Sequence, residues 1–476
     1  MSLIVLHRII KAADQFAFPH GIEFWYMLLD TNSSLYELAP SGPDASSYRL
    51  AGALKPLPVW CYVNFDQMRR DVELKSAEQA LLIRFLAMFS RPYWHTLGDS
   101  PDVVRAARKK LIYHDEFDPE NLDHVFAIFA NRIVLELSDR KQSSQIAVHA
   151  IHSHMRLLTD VSDGFIVTNV PSEPMLAVAA ADILNGNWLL FILTRDKVTL
   201  RNGGSFVDCS EPARHGVRPL KLSDFLTTLL GDDLGVKDQD KADQVQDLLS
   251  DVGNVWMNFT HWTQTDIDEE ISIITPEWLF ELWCRGVAVQ CTHGQSVFDS
   301  LVVTYRGDLT QPFVKRFLGY IVIHTKARME ASALEPAAGL AGPVIETTDE
   351  SGQPVRYKPA SYIALFMDFT ADSTYSGGSR TDIQFGIPKK SSEGKYSSWI
   401  GYLQDSAEEK RYCLNVRGND NQSYPVITKD IKTQFGLLFA HTISTHGHFT
   451  KAACAMESAI NPISSRLLET LVDPYR

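Results

Sequence analysis

The chain has 476 residues, 45% of them hydrophobic and 22% charged, which is ordinary for a soluble globular protein with room for two or three domains. Its net charge of −13 argues against indiscriminate coating of nucleic acid or anionic membrane, because affinity for phosphate grows with the Lys and Arg that displace counterions. A local basic cleft stays compatible with that balance.

No stretch approaches about 20 uninterrupted apolar residues, and MSLIVLHRII has neither a basic leader nor a small-residue cleavage site. No membrane partner is expected, and the location expected is intracellular, in cytoplasm or nucleus. Cys61, Cys209, Cys284, Cys291, Cys413 and Cys454 form no CxxC pair and no regular spacing, so buried free thiols are expected rather than a zinc site or disulfide framework.

In chain order, the run IEFWYMLLDTNSSLYELAP (residues 22 to 40) reads as a buried strand emptying into the polar loop Asp30, Thr31, Asn32, Ser33 and Ser34. No GxxxxGK[ST] loop occurs, and the one Gly-Lys pair, Gly394-Lys395, lies in KKSSEGKYSS with no preceding strand. No NTP is therefore expected as a cofactor.

Residues 65 to 190 read mostly as helices. Ser76 caps SAEQALLIRFLAMFS, Ser100-Pro101 starts another helix, and NLDHVFAIFANRIVLEL and QIAVHAIHSHMRLL follow with helical periodicity. Arg91 reads as a packing or surface arginine. His149 and His152 share a helical face while His154 points elsewhere, which argues against a metal set.

EPMLAVAAADIL and LSDFLTTLLG are further helices, the second capped by Ser223 and closed by Gly231. The charged tract GDDLGVKDQDKADQVQ reads as a surface helix or linker. It separates an expected module over 1–235 from a second over 250–476. The aromatics of WMNFTHW are expected to pack in a core, because no basic residues interleave with them for base stacking.

Residues 276 to 328 carry the chemistry. PEWLFELWCRG reads as a helix, GVAVQC as a strand, THGQ as a turn, and SVFDSLVVTY and GYIVIHTKAR as two further strands. Strand alternation puts Val297, Asp299 and Leu301 on one face, opposite Phe298, Ser300 and Val302. It likewise puts Tyr320, Val322, His324 and Lys326 on one face. Buried Asp and Lys are costly unless paired or bound to something, so their place on neighbouring strands asks for a reason.

Residues 329 to 358 and 371 to 398 read as loops, SYIALFMDFT as a buried strand, RYCLNVRG as a strand ended by Gly418, and DIKTQFGLLFAHTI as a closing helix. There is no GxSxG elbow and no cysteine with a convincing base, which argues against a Ser or Cys hydrolase.

The order helix, strand, hairpin, strand with Asp, strand with x-x-Lys, helix or loop, strand is similar to the core of PD-(D/E)xK nucleases, the restriction-endonuclease-like superfamily. The blocks FWYMLLDTNSSLYELAP, FLAMFSRPYW, PSEPMLAVAAADIL, LSDFLTTLLG and LWCRGVAVQC…FDSLVVTY…YIVIHTKAR resemble a family of mushroom-type fungi joining a P-loop NTPase module to a nuclease-like one. That arrangement is also similar to Crinkler-type effectors.

The resemblance implies a mixed α/β protein: a mainly helical NTPase remnant lacking its Walker A part, then an α/β/α nuclease-like module around a mixed sheet. It implies Asp299 as first metal ligand, Lys326 as the lysine that orients or activates water, and His324 at the position of the acid. Imidazole suits Mn²⁺ better than Mg²⁺, so His324 either recruits the softer ion or marks a weakened site. Glu281 is the candidate second carboxylate, with Glu277 one turn earlier as the alternative. Lys315, Arg316 and Arg328 are candidate phosphate contacts. The function implied is Mg- or Mn-dependent hydrolysis of DNA or RNA; the alternative is a non-catalytic interaction or regulatory protein that binds protein partners.

Overall fold

The computed structural model describes residues 66–69, 73–89, 91–98, 102–133, 141–162, 165–186, 217–236, 242–264, 274–291, 298–326, 361–369, 411–418 and 421–425. Isolated positions at 12–13, 16, 19, 135 and 137 and the backbone of strands at 345–348, 354–357, 381–385, 387–390 and 396–400 are also described. The expected strand over residues 22 to 40, Arg328 and the closing helix over 430 to 443 lie outside these residues.

The first helical layer comprises α1 (Ile83–Leu86), α2 (Pro92–Thr96), α3 (Asp102–Ile112), α4 (Leu122–Ala130), α5 (Lys141–Ser153) and α6 (Pro174–Gly186). Asn121 caps α4 by accepting from the Asp123 and His124 amides, meeting two of the donors that a helix start leaves open. The helix expected from Ser76 is instead a 3₁₀ turn, Ala77–Leu81, followed by α1, with an extended break at Leu82. Tertiary bonds compete there: the Leu81 carbonyl accepts from Val217, and the Ala77 carbonyl accepts from the Trp283 indole. Between α5 and α6, where helix was expected, β1 (Leu157–Ser162) pairs antiparallel with β2 (Phe165–Asn169).

Next come β3 (Leu220–Lys221), α7 (Leu222–Leu230), α8 (Ala242–Asp251), β4 (Val255–Met257), β5 (His261–Gln264), α9 (Pro276–Arg285), β6 (Val287–Gln290), β7 (Ser300–Arg306) and β8 (Leu318–Lys326). The remaining strands are β9 (Ile345–Thr348), β10 (Pro354–Tyr357), β11 (Tyr362–Asp368), β12 (Thr381–Phe385), β13 (Ile387–Lys390), β14 (Tyr396–Ile400) and β15 (Arg411–Arg417). Strands β9, β10 and β12 to β14 fall in the segments expected to be loops.

Nine of these strands form one mixed sheet. Its path runs β12-β15-β11-β8-β7-β4-β3, with β6 also paired to β7 and to β5. Strands β8, β11 and β15 are mutually parallel, whereas β7 is antiparallel to both β6 and β8.

Alternation along these strands sorts the core into two layers. Leu301, Val303 and Tyr305 of β7, Tyr320 and Val322 of β8, and Ala364 and Phe366 of β11 pack with α9 and the first helical layer. Val302, Ile321, Ile363, Leu365, Leu414 and Val416 pack on the opposite side with Leu222, Leu226 and Leu230 of α7 and Val245 and Leu248 of α8. Helices thus cover both sheet faces, and the protein is of the mixed α/β class. The aromatic WMNFTHW segment is built into β4 and β5, and its Met257 and His261 are buried.

Two glycines fix the geometry around β8. Gly286 ends α9 in the left-handed region (φ 63°), and a Cβ there would sit 3.4 Å from the Asn258 side-chain oxygen. A Cβ on Gly319 would sit 2.6 Å from the Ser361 backbone nitrogen, so only glycine lets β8 and β11 begin pairing this closely.

Candidate functional site

Antiparallel register sets the site. Ser300 lies opposite Ile323 and Leu301 opposite Val322, so Asp299, one residue before β7, falls beside His324 near the end of β8. The ladder continues through Asp299, whose amide donates to the Ile323 carbonyl at 2.8 Å and whose carbonyl accepts from Cys291 at 2.8 Å. Phe298 departs from the expected alternation. It joins the cluster of Leu301 and Val303, because regular strand begins only at Ser300.

The Asp299 carboxylate receives Oδ2 contacts from three groups. The Thr325 amide donates to it, the Thr325 hydroxyl donates at 2.7 Å, and His324 Nδ1 lies 3.7 Å away. The Asp299 side chain is 38% exposed and that of His324 12%. The His324 ring stacks on Phe366 with centroids 5.4 Å apart and planes 26° apart, which fixes its orientation. Burial and the charge of Asp299 push the neighbouring Cys291 thiol up to about 12, so it carries no thiolate chemistry here.

Parallel register extends the site across the sheet. Phe366 aligns with His324, and Asp368 with Lys326. On the other side of β11, Asn415 aligns with Phe366 and Arg417 with Asp368. Asp368 and Asn415 are fully buried, and Arg417 Nε lies 4.0 Å from Asp368 Oδ2. These positions share the sheet face of Asp299 and His324 at the carboxyl ends of three parallel strands, the place where open α/β sheets receive ligands.

Sequence reading missed Asp368, Asn415 and Arg417. Their signal was nevertheless present. Polar residues at i and i+2 close RYCLNVRG just as His324 and Lys326 close GYIVIHTKAR.

The other candidate residues lie elsewhere. Glu281 is ion-paired with Arg69. Glu277 lies 3.6 Å from Lys315, which also sits over the Phe280 ring, and Arg316 sits over Phe317. Lys315 and Arg316 precede β8 while His324 is near its end, a separation of about 25 Å at strand rise. One phosphate cannot span that distance. Arg91 is a packing residue paired with buried Glu173 at 2.7 Å, and Trp94 donates to the same carboxylate. His149 pairs with Asp123, whereas buried His154 bonds the Leu111 carbonyl, so the histidines do not converge.

Two further features hold polar groups close together or open a cleft. Ser172 Oγ lies 2.9 Å from His261 Nε2, and His261 Nδ1 lies 2.8 Å from Thr260 Oγ1, which resembles a nucleophile and its base. Both Ser172 and His261 are only 3% exposed, so no substrate reaches them. Burial, with the nearby Arg285 and Arg132 charges, lowers the His261 imidazole to about 3 and keeps it neutral. A cleft of about 430 Å³ in the first helical layer is lined by Gln79, Arg84, Phe85, Ala87, Met88, His95 and Gly98. Among the described residues its lining contains no carboxylate.

Among the described residues no three His, Cys, Asp or Glu side chains converge as a metal-binding group. Asp299 and His324 supply two donors. A carboxylate oxygen and an imidazole nitrogen are donor types that Mn²⁺ accepts, and imidazole suits Mn²⁺ better than Mg²⁺. Among the described residues no helix is long and apolar enough to cross a membrane. No family model, curated protein or solved structure matches this chain.

Proposed function

We propose that the protein is a metal-dependent nucleic-acid phosphodiesterase of the PD-(D/E)xK kind, with His324 in the place of the usual acid. One observation carries the reading: β7 and β8 pair so that Asp299 meets His324, with Lys326 two residues further on the same face at the strand's end. The chain order α9, β6, β7, β8, β11 and the helices on both faces agree with the core that the sequence resembles.

In this reading Asp299 and His324 would hold a divalent ion such as Mn²⁺, and such an ion would supply charge neutralisation at the scissile phosphate and a lowered pKa for the attacking water. Thr325 fixes the Asp299 carboxylate through two hydrogen bonds, so its second oxygen is aimed without further ordering. Phe366 holds the imidazole plane. Lys326 would orient the water, whose oxygen bonds to phosphorus and releases a proton to solvent while the bond to the leaving sugar oxygen breaks and that oxygen takes up a proton from solvent.

The two-donor set also favours a second reading, a non-catalytic relative that binds nucleic acid or a protein partner through the same edge. Incubation of plasmid and single-stranded DNA or RNA with Mn²⁺, with Mg²⁺ and with EDTA separates the two. The nuclease reading predicts strand breaks with Mn²⁺, fewer with Mg²⁺ and none with EDTA. Intact substrate in every arm contradicts it.

A further inference from the structure

The opposite end of β7 and β8 carries cations over aromatic rings. Lys221 Nζ lies 5.4 Å from the centroid of the Trp256 ring, Lys315 Nζ 5.3 Å from that of Phe280, and the Arg316 guanidinium 5.4 Å from that of Phe317. The rings beneath form one cluster: Phe280 meets Phe313 at 5.4 Å between centroids, Phe313 stacks on Tyr305 at 5.3 Å, and Tyr305 meets Phe317 edge-on at 6.0 Å. Trp256 joins it at Gly307, whose carbonyl accepts from the indole at 3.0 Å and where a Cβ would lie 3.9 Å from Phe317. Register brings these residues together. Lys221 lies opposite Trp256, Trp256 opposite Tyr305 and Tyr305 opposite Leu318. That row spans about 14 Å at the usual strand spacing, from Lys221 to the start of β8, just after Lys315 and Arg316.

In a chain of net charge −13 these cations are not a by-product of composition. Lys221, Lys315 and Arg316 are exposed, and Trp256, Phe280 and Phe317 are half-buried. Among the described residues neither Lys221 nor Arg316 has a carboxylate within ion-pair distance. Lys315 has exposed Glu277 at 3.6 Å, and nearby Asp308 accepts from the Thr310 amide and hydroxyl. Cations alone suit any polyanion. Rings interleaved with them suit one that carries flat apolar faces between its charges, and a single strand leaves its bases free to present such faces.

We propose that this end of the sheet binds single-stranded nucleic acid, with phosphates on Lys221, Lys315 and Arg316 and with bases or sugars against Trp256, Phe280 and Phe317. The surface lies about 25 Å from His324 along β8, so it is a second site and not part of the one at Asp299. Its ligand class is read from its own cations and rings, not from the nuclease reading, and binding here needs no metal. The two readings therefore fail separately: cleavage tests one, and binding in EDTA tests the other.

The test is fluorescence anisotropy of the full chain with a labelled oligothymidylate of about 20 nucleotides, in EDTA, across a salt series. The wild-type chain should bind. Arg316→Gln and Lys221→Gln, both at exposed positions, should each weaken binding about threefold or more and lower the salt slope by about 0.7, and the double variant should lose about tenfold. Lys109→Gln, at an exposed cation of α3 paired with Asp115, should leave binding within about twofold of wild type. No binding by the wild-type chain, unchanged binding in the double variant, or an equal loss in Lys109→Gln would each overturn the proposal. Polyglutamate of similar length should compete at least about tenfold more weakly than unlabelled oligothymidylate. Equal competition would assign the surface to an acidic protein segment and overturn the nucleic-acid assignment.

Discussion

Two polar nodes of this protein use the same kinds of side chain and behave in opposite ways. At the first, Ser172, His261 and Thr260 form a chain of hydrogen bonds, with Arg285 donating to the Ser172 carbonyl and paired with Asp66. The Thr260 hydroxyl donates to the Gly286 carbonyl, so it accepts from His261 Nδ1, and Nε2 accepts from Ser172. Each of these donors has its acceptor, and Ser172, Thr260, His261 and Arg285 are 1 to 3% exposed. At the second, Asp299, His324 and Thr325 sit at a strand end open to solvent, with the Asp299 side chain 38% exposed. The lesson is that a serine beside a histidine is not a site when packing closes over it. A carboxylate beside a histidine at an open strand end, by contrast, stays within reach of solvent and of a ligand.

Four measurements sharpen this contrast, from the largest expected effect on stability to the smallest. Arg285→Ala strips the partner from Asp66 and from the Ser172 carbonyl in a buried setting, and should lower unfolding free energy by about 3–5 kcal/mol, read from the urea midpoint. A loss below about 1 kcal/mol would mean that the buried node is not structural.

The pH dependence of that node follows from His261. Its folded pKa of about 3 lies below the ordinary 6.5, so the unfolded chain binds the extra proton between those values. Stability is fully present above about pH 6.5 and falls as pH drops toward 3. The part due to His261 between pH 7 and pH 5 is about 2 kcal/mol. His124 and His154, both lowered by burial, push in the same direction. A melting temperature that does not fall from pH 7 to pH 5 would contradict the neutral, buried assignment.

Asp299→Ala, at the open node, should leave the urea midpoint within about 1 kcal/mol of wild type, because its carboxylate is more than a third exposed. Lys315→Ala should change stability by less than about 0.5 kcal/mol and leave any cleavage intact, since its pair with Glu277 is exposed and lies at the far end of β8. Loss of cleavage in Lys315→Ala would show that the two ends of β8 act together.

Much of the second node was legible in sequence because period-2 alternation is a local property. β6, β11 and β15 formed inside the runs read as strands, and β7 and β8 within one residue of theirs, and their pairing sets Asp299 beside His324. Pairing between distant strands is not local. Nothing in SYIALFMDFT or RYCLNVRG by itself announces that Asp368 and Arg417 align with Lys326, because parallel register is set by crossovers of about 40 residues. The same limit explains Glu281, whose helix reads correctly while its partner, Arg69, lies more than 200 residues away. Ser76 likewise reads as a sound cap, but tertiary bonds from Trp283 and Val217 outweigh helix propensity there.

The central claim is that Asp299 anchors the chemistry of the strand-end site, and one comparison tests it most directly: plasmid nicking in Mn²⁺ by wild type and by Asp299→Ala, both with verified folding. The account predicts nicking by wild type and none above background by the variant. Equal nicking by the two proteins would contradict it.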